Sequence, residues 1–227
     1  MTRHLRFHDA RTEAKQALDR HIEILDNIKK HCIVGNEEKD EFLYLMAIPV
    51  IYAAWEGFFR ISCSICLRRK FHVDRKLKAY EERYSTLWLQ QEGFVNSFFD
   101  KLFNSVSLGK KPKKINDGRY AALTKFAGDI KAWLERPANH LTNFDDLVMT
   151  HSNINKEVTI LNADIIGLDL KDVQLGRLDD LVGQRNNIAH GGLIDYPKEN
   201  TINELMEYAE KLLNDFHASV AQWLKTS

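Results

Sequence analysis

The sequence is poor in cysteine, and this shortage excludes one class of protein. The three cysteines, Cys32, Cys63 and Cys66, cannot all pair in disulfides. This content is unlike that of small secreted domains held together by disulfides, and it fits a reducing compartment. Cys63 and Cys66 form a CxxC pattern in an apolar helical stretch, with no second CxxC and no histidine pair to complete a zinc site. We therefore expect two buried core residues there, and no metal or other cofactor.

The chain also lacks net charge and a long uncharged apolar run. Its 32 basic residues balance its 32 acidic residues, so any site for a polyanion must be local. The most apolar stretch, residues 42–66, is interrupted by Glu56 and Arg60, whereas a membrane-spanning helix needs about 18 uncharged residues. The N-terminal segment MTRHLRFHDARTEAKQ lacks the apolar region of a secretory signal. These absences predict a cytoplasmic protein.

Several common catalytic motifs are missing as well. The sequence contains no glycine-rich phosphate loop, no HExxH and no GxSxG. It therefore gives no support for a kinase, a P-loop NTPase, a zinc protease or a serine hydrolase. An enzymatic function would have to come from a different arrangement of polar side chains.

The clearest positive signal is the helical spacing of apolar residues. The chain has only four prolines and eleven glycines and no convincing pair of alternating strands, so the predicted fold class is all-α. We expect an amphipathic helix at residues 11–31, a central buried helix at 39–69 that Pro49 kinks or divides, and a last helix at 202–224. The predicted core face of the last helix consists of Leu205, Tyr208, Ala209, Leu212, Leu213, Phe216, Val220 and Trp223.

Residues 71–150 differ from the rest and are predicted to be an insertion within a single domain that spans residues 1–227. Their periodicity is weaker, and helices are expected at 84–102 and 119–134. The loop between these helices carries four lysines, Lys110, Lys111, Lys113 and Lys114. Two interpretations are equally supported: a solvated loop, or an RNA-binding strip that guides the phosphate backbone toward an active site.

An arginine in an apolar stripe marks the segment LVGQRNNIAHGGL. Arg185 follows Leu181 by four residues and Val182 by three, so it points with the apolar side of its helix. A buried guanidinium needs a partner, which is a carboxylate of the same protein, an acceptor in a second subunit or the phosphate of a ligand. The carboxylates in question are those of Glu56, Asp179 and Asp180.

A histidine lies close to the end of the same helix. The helix should stop at Gly191, so that His190 occupies the last turn, where the helix dipole favours a cation. Asn186 precedes His190 by four residues and could orient its imidazole. Arginine, amide and histidine together supply charge stabilisation for a phosphate and an acid–base group, the combination that RNA cleavage needs. The plainer interpretation of His190 is a helix-capping residue.

The string Arg185-Asn186-Asn187-Ile188-Ala189-His190-Gly191 resembles the R-polar-x-x-x-H signature of HEPN domains (higher eukaryotes and prokaryotes nucleotide-binding). It is most similar to the RNxxAHG form found in bacterial toxin–antitoxin and antiphage defence loci. The resemblance implies a helical bundle with a four-helix core that forms a homodimer, in which two motifs face each other across one cleft. It also implies a metal-independent ribonuclease that leaves 2′,3′-cyclic phosphate ends.

By this resemblance, Arg185 and His190 are the catalytic pair and Asn186 shapes the site. The segment YAAWEGFF, residues 52–59, resembles the second helix of the group, in which an acidic residue can lie near the motif. Glu56 is therefore a further catalytic candidate, and its charge within an apolar helix calls for a cationic partner, either Arg185 or Arg60.

Two functions stay open at this stage. The first is an endoribonuclease, a toxin or antiphage effector with RNA as substrate and with a cognate antitoxin or partner effector. The second is a non-catalytic HEPN interaction or nucleotide-binding module, antitoxin-like or a sensor. Toxins of the group that pair with a minimal nucleotidyltransferase carry a tyrosine two residues after the histidine, where this chain has Gly192. This difference argues against regulation by tyrosine adenylylation.

Overall fold

The protein is all-α in every segment that the structure describes. The computed structural model describes residues 5–72, 75–84, 117–137, 144–150, 153–191 and 196–226. Its α-helices there are α1 (Phe7–Ile28), α2 (Glu41–Lys70), α3 (Asp117–Leu134), α4 (Lys156–Ile166), α5 (Leu178–Ala189) and α6 (Glu199–Thr226). An isolated antiparallel bridge between Lys76 and Pro137 is the sole β-pairing in these ranges. The predicted fold class is confirmed.

The internal contacts divide the chain into two units. The larger unit comprises Arg3–Lys70 and Val148–Ser227, and the smaller one contains Phe71–Leu147. Helix α3 corresponds to the helix predicted at residues 119–134. The helix expected at 84–102 lies almost entirely outside the described residues, as do the four lysines of the following loop. That the middle region is an insertion stays a prediction.

The larger unit is a helical bundle built around α2. Helices α1, α2 and α6 pack against one another in pairs, and α4 and α5 pack on α2. The ring of Phe216 on α6 contacts three aromatic rings of α2, with centroids 5.5 Å from Trp55, 6.2 Å from Phe58 and 5.3 Å from Phe59. All eight residues of the predicted α6 face are buried, so this face was predicted correctly.

Helix α2 is the buried core helix of the larger unit. It continues through Pro49 without interruption, so the predicted division is absent. By length and composition alone α2 could cross a membrane, but 56% of its most apolar window is buried inside the protein, as in the core helix of a globular domain. Cys63 and Cys66 are both fully buried, and burial raises the pKa of each thiol. These two cysteines are core residues, as predicted.

The described part of the smaller unit has its own aromatic cluster. The ring of Phe71 lies 4.7 Å from that of Tyr80, 5.5 Å from that of Tyr84 and 6.1 Å from that of Phe144. At the surface of this unit the carboxylate of Glu135 accepts hydrogen bonds from two lysines, Lys76 and Lys78. These two bonds lower the pKa of Glu135 to about 2.

Candidate active site

Arg185 lies where the apolar stripe of α5 leaves the core. Leu181 and Val182 are buried, Arg185 and Ile188 are half-buried, and Ala189 is exposed. Arg185 lies on the same side of α5 as the apolar residues, as predicted, but only the first residues of this stripe are buried. The last turn of α5 extends beyond the core. This position gives the guanidinium group both a protein surface to rest on and access to solvent.

The guanidinium of Arg185 rests on an aromatic ring of α2. Its Cζ lies 5.4 Å from the centroid of the Tyr52 ring, within the range of a cation–π interaction. Nη1 donates one hydrogen bond to Oδ1 of Asn153 at 3.2 Å and another to Oδ1 of Asn186 at 2.9 Å. Every one of these partners is uncharged.

The carboxylates expected to pair with Arg185 do not do so. In the described part of the chain, no carboxylate oxygen lies within 4.0 Å of the Arg185 guanidinium. Asp179 instead accepts a hydrogen bond from the main-chain N–H of Lys156 at 3.0 Å, and Asp180 is exposed. The interpretation of Arg185 as half of an internal salt bridge is therefore wrong for the residues described.

Glu56 does not have the cationic partner that was predicted. Neither Arg185 nor Arg60 forms an ion pair with it among the described residues, and its half-buried carboxylate lies near enough to Tyr52 to act on that residue's pKa. Burial is the main cause that raises the pKa of Tyr52, and the Glu56 charge adds to it, while the Ile154 N–H and Arg185 act in the opposite direction. A tyrosine phenol is neutral at physiological pH already, and the raised pKa makes Tyr52 still harder to ionise, so it is suited to support a cation and not to remove a proton.

Tyr52 and Trp55 bind the main chain of Ile154, next to Asn153, and the sequence analysis did not identify this segment as part of the site. The Tyr52 hydroxyl accepts a hydrogen bond from the main-chain N–H of Ile154 at 2.8 Å, and Nε1 of Trp55 donates to the Ile154 carbonyl at 3.2 Å. The next residue, Asn155, caps α4 by accepting from the N–H of Val158. Ile154 is thus fixed from both sides, and the residue before it, Asn153, is brought to Arg185. The YAAWEGFF segment was the sequence signal for this arrangement, although it was singled out for Glu56.

The side chain of Asn186 contacts Arg185 and not the imidazole of His190. Its amide oxygen accepts from Arg185, and its contact with His190 is made by the main chain, where the Asn186 carbonyl accepts from the His190 N–H at 3.0 Å. The prediction that its amide orients the imidazole is wrong in this structure.

His190 caps α5 at the protein surface. It has φ −97° and ψ 5°, and Gly191 follows with φ +65°, a conformation that glycine adopts without a steric penalty. The helix therefore ends where the sequence predicted. The imidazole is exposed and forms no hydrogen bond with the residues described.

The remaining site predictions concern RNA binding and metals. The four lysines of the basic loop, Lys110, Lys111, Lys113 and Lys114, lie outside the described residues. In the segments that are described, no three or more His, Cys, Asp and Glu side chains converge in a way that could hold a metal ion.

Comparison with known proteins identifies the family of the chain. The family model described as RiboL-PSP-HEPN matches residues 15–222, which includes every residue of the site around Arg185. No curated protein and no solved structure matches the chain significantly. The match covers nearly the whole chain, including the middle region.

Proposed function

Because the chain belongs to the RiboL-PSP-HEPN family of HEPN domains, we propose that it is a metal-independent endoribonuclease with Arg185 and His190 in its active site. The observation that carries the proposal is the setting of Arg185. A half-buried guanidinium that is held by neutral groups keeps its full charge for a ligand, and a phosphate is the ligand that its geometry suits best.

The chemistry is an internal transfer at the RNA phosphate. The 2′-hydroxyl oxygen attacks phosphorus, the bond from phosphorus to the 5′-oxygen breaks, and the products are a 2′,3′-cyclic phosphate and a free 5′-hydroxyl. His190 takes the proton from the 2′-hydroxyl or supplies one to the leaving oxygen, and Arg185 stabilises the negative charge of the phosphorane. The exposure of the His190 imidazole supports this role, since nothing within the described segments blocks it.

We further propose that the active unit is a homodimer. His190 lies five residues after Arg185, which corresponds to about 7.5 Å along a helix and about 140° around it, so the two side chains of one subunit leave the helix in different directions. Two copies with facing motifs would provide two arginines and two histidines in one cleft. In this proposal the protein is a cytoplasmic toxin or antiphage effector, and an antitoxin or partner effector controls it.

The first test is cleavage of total cellular RNA by the purified protein in EDTA. We expect cleavage with 2′,3′-cyclic phosphate ends, and loss of cleavage in both His190→Ala and Arg185→Ala. His31→Ala is the matched control, because His31 is an exposed histidine elsewhere in the larger unit.

Size-exclusion chromatography of the same proteins separates the alternatives. A His190→Ala variant that stays dimeric and is inactive supports the nuclease. Full activity in both site variants would contradict the mechanism. If no protein cleaves, and His190→Ala fails to associate, the non-catalytic interaction module is the better description.

A further inference from the structure

The contacts of Arg185 occupy only part of its guanidinium. An arginine has five N–H donors, of which two are on Nη1, and both acceptors seen here, Asn153 and Asn186, bind Nη1. The Tyr52 ring covers one face of the planar group. The other three N–H donors, one on Nε and two on Nη2, have no acceptor among the described residues.

The donors left open have a definite geometry. Nε and Nη2 lie side by side on one edge of the guanidinium, and such an edge binds two oxygens of a phosphate at once. Since both N–H groups of Nη1 are engaged by amides, a turn of the side chain that offers another edge of the planar guanidinium would break both hydrogen bonds. The Nε–Nη2 edge is therefore the edge of Arg185 that is available to a ligand.

The position of Asn153 depends on the two aromatic side chains of α2. Ile154 is fully buried, and its N–H and carbonyl are both satisfied by Tyr52 and Trp55. A shift of this segment would leave buried main-chain groups unpaired, which is costly. Tyr52 thus acts on Arg185 twice, once through its ring and once through the main chain that carries Asn153.

From this geometry we propose that Tyr52 and Asn153 are positioning residues that direct the Nε–Nη2 edge of Arg185 to the scissile phosphate. The inference rests on the proposed nuclease function and deepens it. It assigns no proton transfer to either residue. It also explains why the partners are neutral: a carboxylate at position 153 would hold the same guanidinium but cancel its charge.

The decisive variant is Asn153→Asp, which changes one amide into a carboxylate of the same shape. We expect phosphate and RNA affinity to fall about tenfold or more, the scale of one lost charge-assisted hydrogen bond. Asn153→Ser, which keeps the site free of negative charge, should reduce phosphate and RNA affinity by a smaller factor. Asn27→Asp is the control, because it adds the same charge at an exposed position of α1. Circular dichroism and chromatography are used to check that each variant is folded.

Binding is measured separately from cleavage. The Nε–H resonance of Arg185, identified by its absence in Arg185→Lys, is followed by NMR during titration with inorganic phosphate and with a 2′-O-methylated RNA oligonucleotide that cannot be cleaved. We expect this resonance to shift with both probes in the wild type and to respond much less in Asn153→Asp. A wild-type protein that binds the oligonucleotide without a shift of this resonance would overturn the proposal.

A double-mutant cycle tests whether Tyr52 acts through Asn153. Tyr52→Phe keeps the ring and removes the hydroxyl that holds Ile154. If the hydroxyl works by placing Asn153, the double variant Tyr52→Phe/Asn153→Ser should lose no more kcat than Asn153→Ser alone. Additive losses, or wild-type affinity and activity in Asn153→Asp, would contradict the positioning role.

The two proposals can fail independently. If the protein cleaves RNA but the Arg185 Nε–H resonance does not shift on binding, the positioning role is wrong and the nuclease function is unaffected. A response of that edge to RNA, without cleavage, would refute the nuclease and support the same edge as a phosphate-binding site of a non-catalytic module.

Discussion

Two arginine environments in the larger unit, around Arg68 at the end of α2 and around Arg185 on α5, differ in the charge of the partner. Nη1 and Nη2 of Arg68 contact the two carboxylate oxygens of Glu13 at 2.7 and 3.4 Å, and the Arg68 side chain is 14% exposed. Arg185 is held by two amides and a ring. A carboxylate partner fixes an arginine and neutralises it, whereas neutral partners fix it and leave its charge for a ligand.

The largest expected effect comes from replacing each arginine by lysine. Lysine keeps the charge but lacks the planar fork that binds two acceptors. We expect Arg185→Lys to lower kcat/KM about 100-fold or more, the scale seen when a donor to a transition-state oxyanion is removed. Arg68→Lys should leave cleavage near the wild-type level. RNA cleavage rates measure the activity of both variants, and urea unfolding curves show whether they are folded. Equal losses of activity in Arg185→Lys and Arg68→Lys would contradict the distinction between the two arginine environments.

The reverse change makes Arg68 resemble Arg185. Glu13→Gln gives Arg68 an amide partner, so we expect the free energy of unfolding to fall by about 1 kcal/mol, because a charge-assisted hydrogen bond is replaced by a weaker one. The difference from the wild type should shrink only in part in about 1 M salt, because salt screens a partly buried pair less than an exposed one. Urea midpoints at two salt concentrations measure it. An unchanged midpoint would show that the pair contributes no stability.

The smallest expected effect concerns the lysine–carboxylate cluster of the smaller unit. Two exposed lysines hold the pKa of Glu135 at about 2, below the ordinary value of 4.5. Such a pair stabilises the folded state fully above pH 4.5, and this contribution is lost as pH falls toward about 2. Glu135→Gln should lower the melting temperature slightly at neutral pH, since exposed ion pairs contribute little, and the difference should vanish only once the pH falls below about 2. A difference that persists in acid would contradict this origin.

The sequence predicted those features that depend on local spacing. The core face of α6 and the end of α5 at Gly191 were predicted correctly, since helical periodicity and a glycine stop signal are local patterns. The contact between Arg185 and Asn153 joins residues 32 positions apart, and that between Tyr52 and Ile154 joins residues 102 apart, and neither leaves a periodic trace. They could be recognised only once the chain was folded.

The error at Glu56 has a physical reason as well. A charged residue within an apolar helix suggested a buried carboxylate that needs a cation, but Glu56 is only half-buried. A carboxylate that keeps access to solvent does not need a cationic partner. Its neighbour Tyr52 was the informative residue of the segment, because an aromatic ring next to a guanidinium stabilises charge without cancelling it.

The two hydrogen bonds to the main chain of Ile154 affect which substitutions this site can accept in evolution. Tyr52 and Trp55 recognise its main-chain N–H and carbonyl, which every residue except proline possesses. The side chain at position 154 is therefore free to vary among apolar types of similar size while Asn153 keeps its place. A relative can differ at this position and still inherit the same guanidinium geometry, and a proline there would be the substitution that removes it.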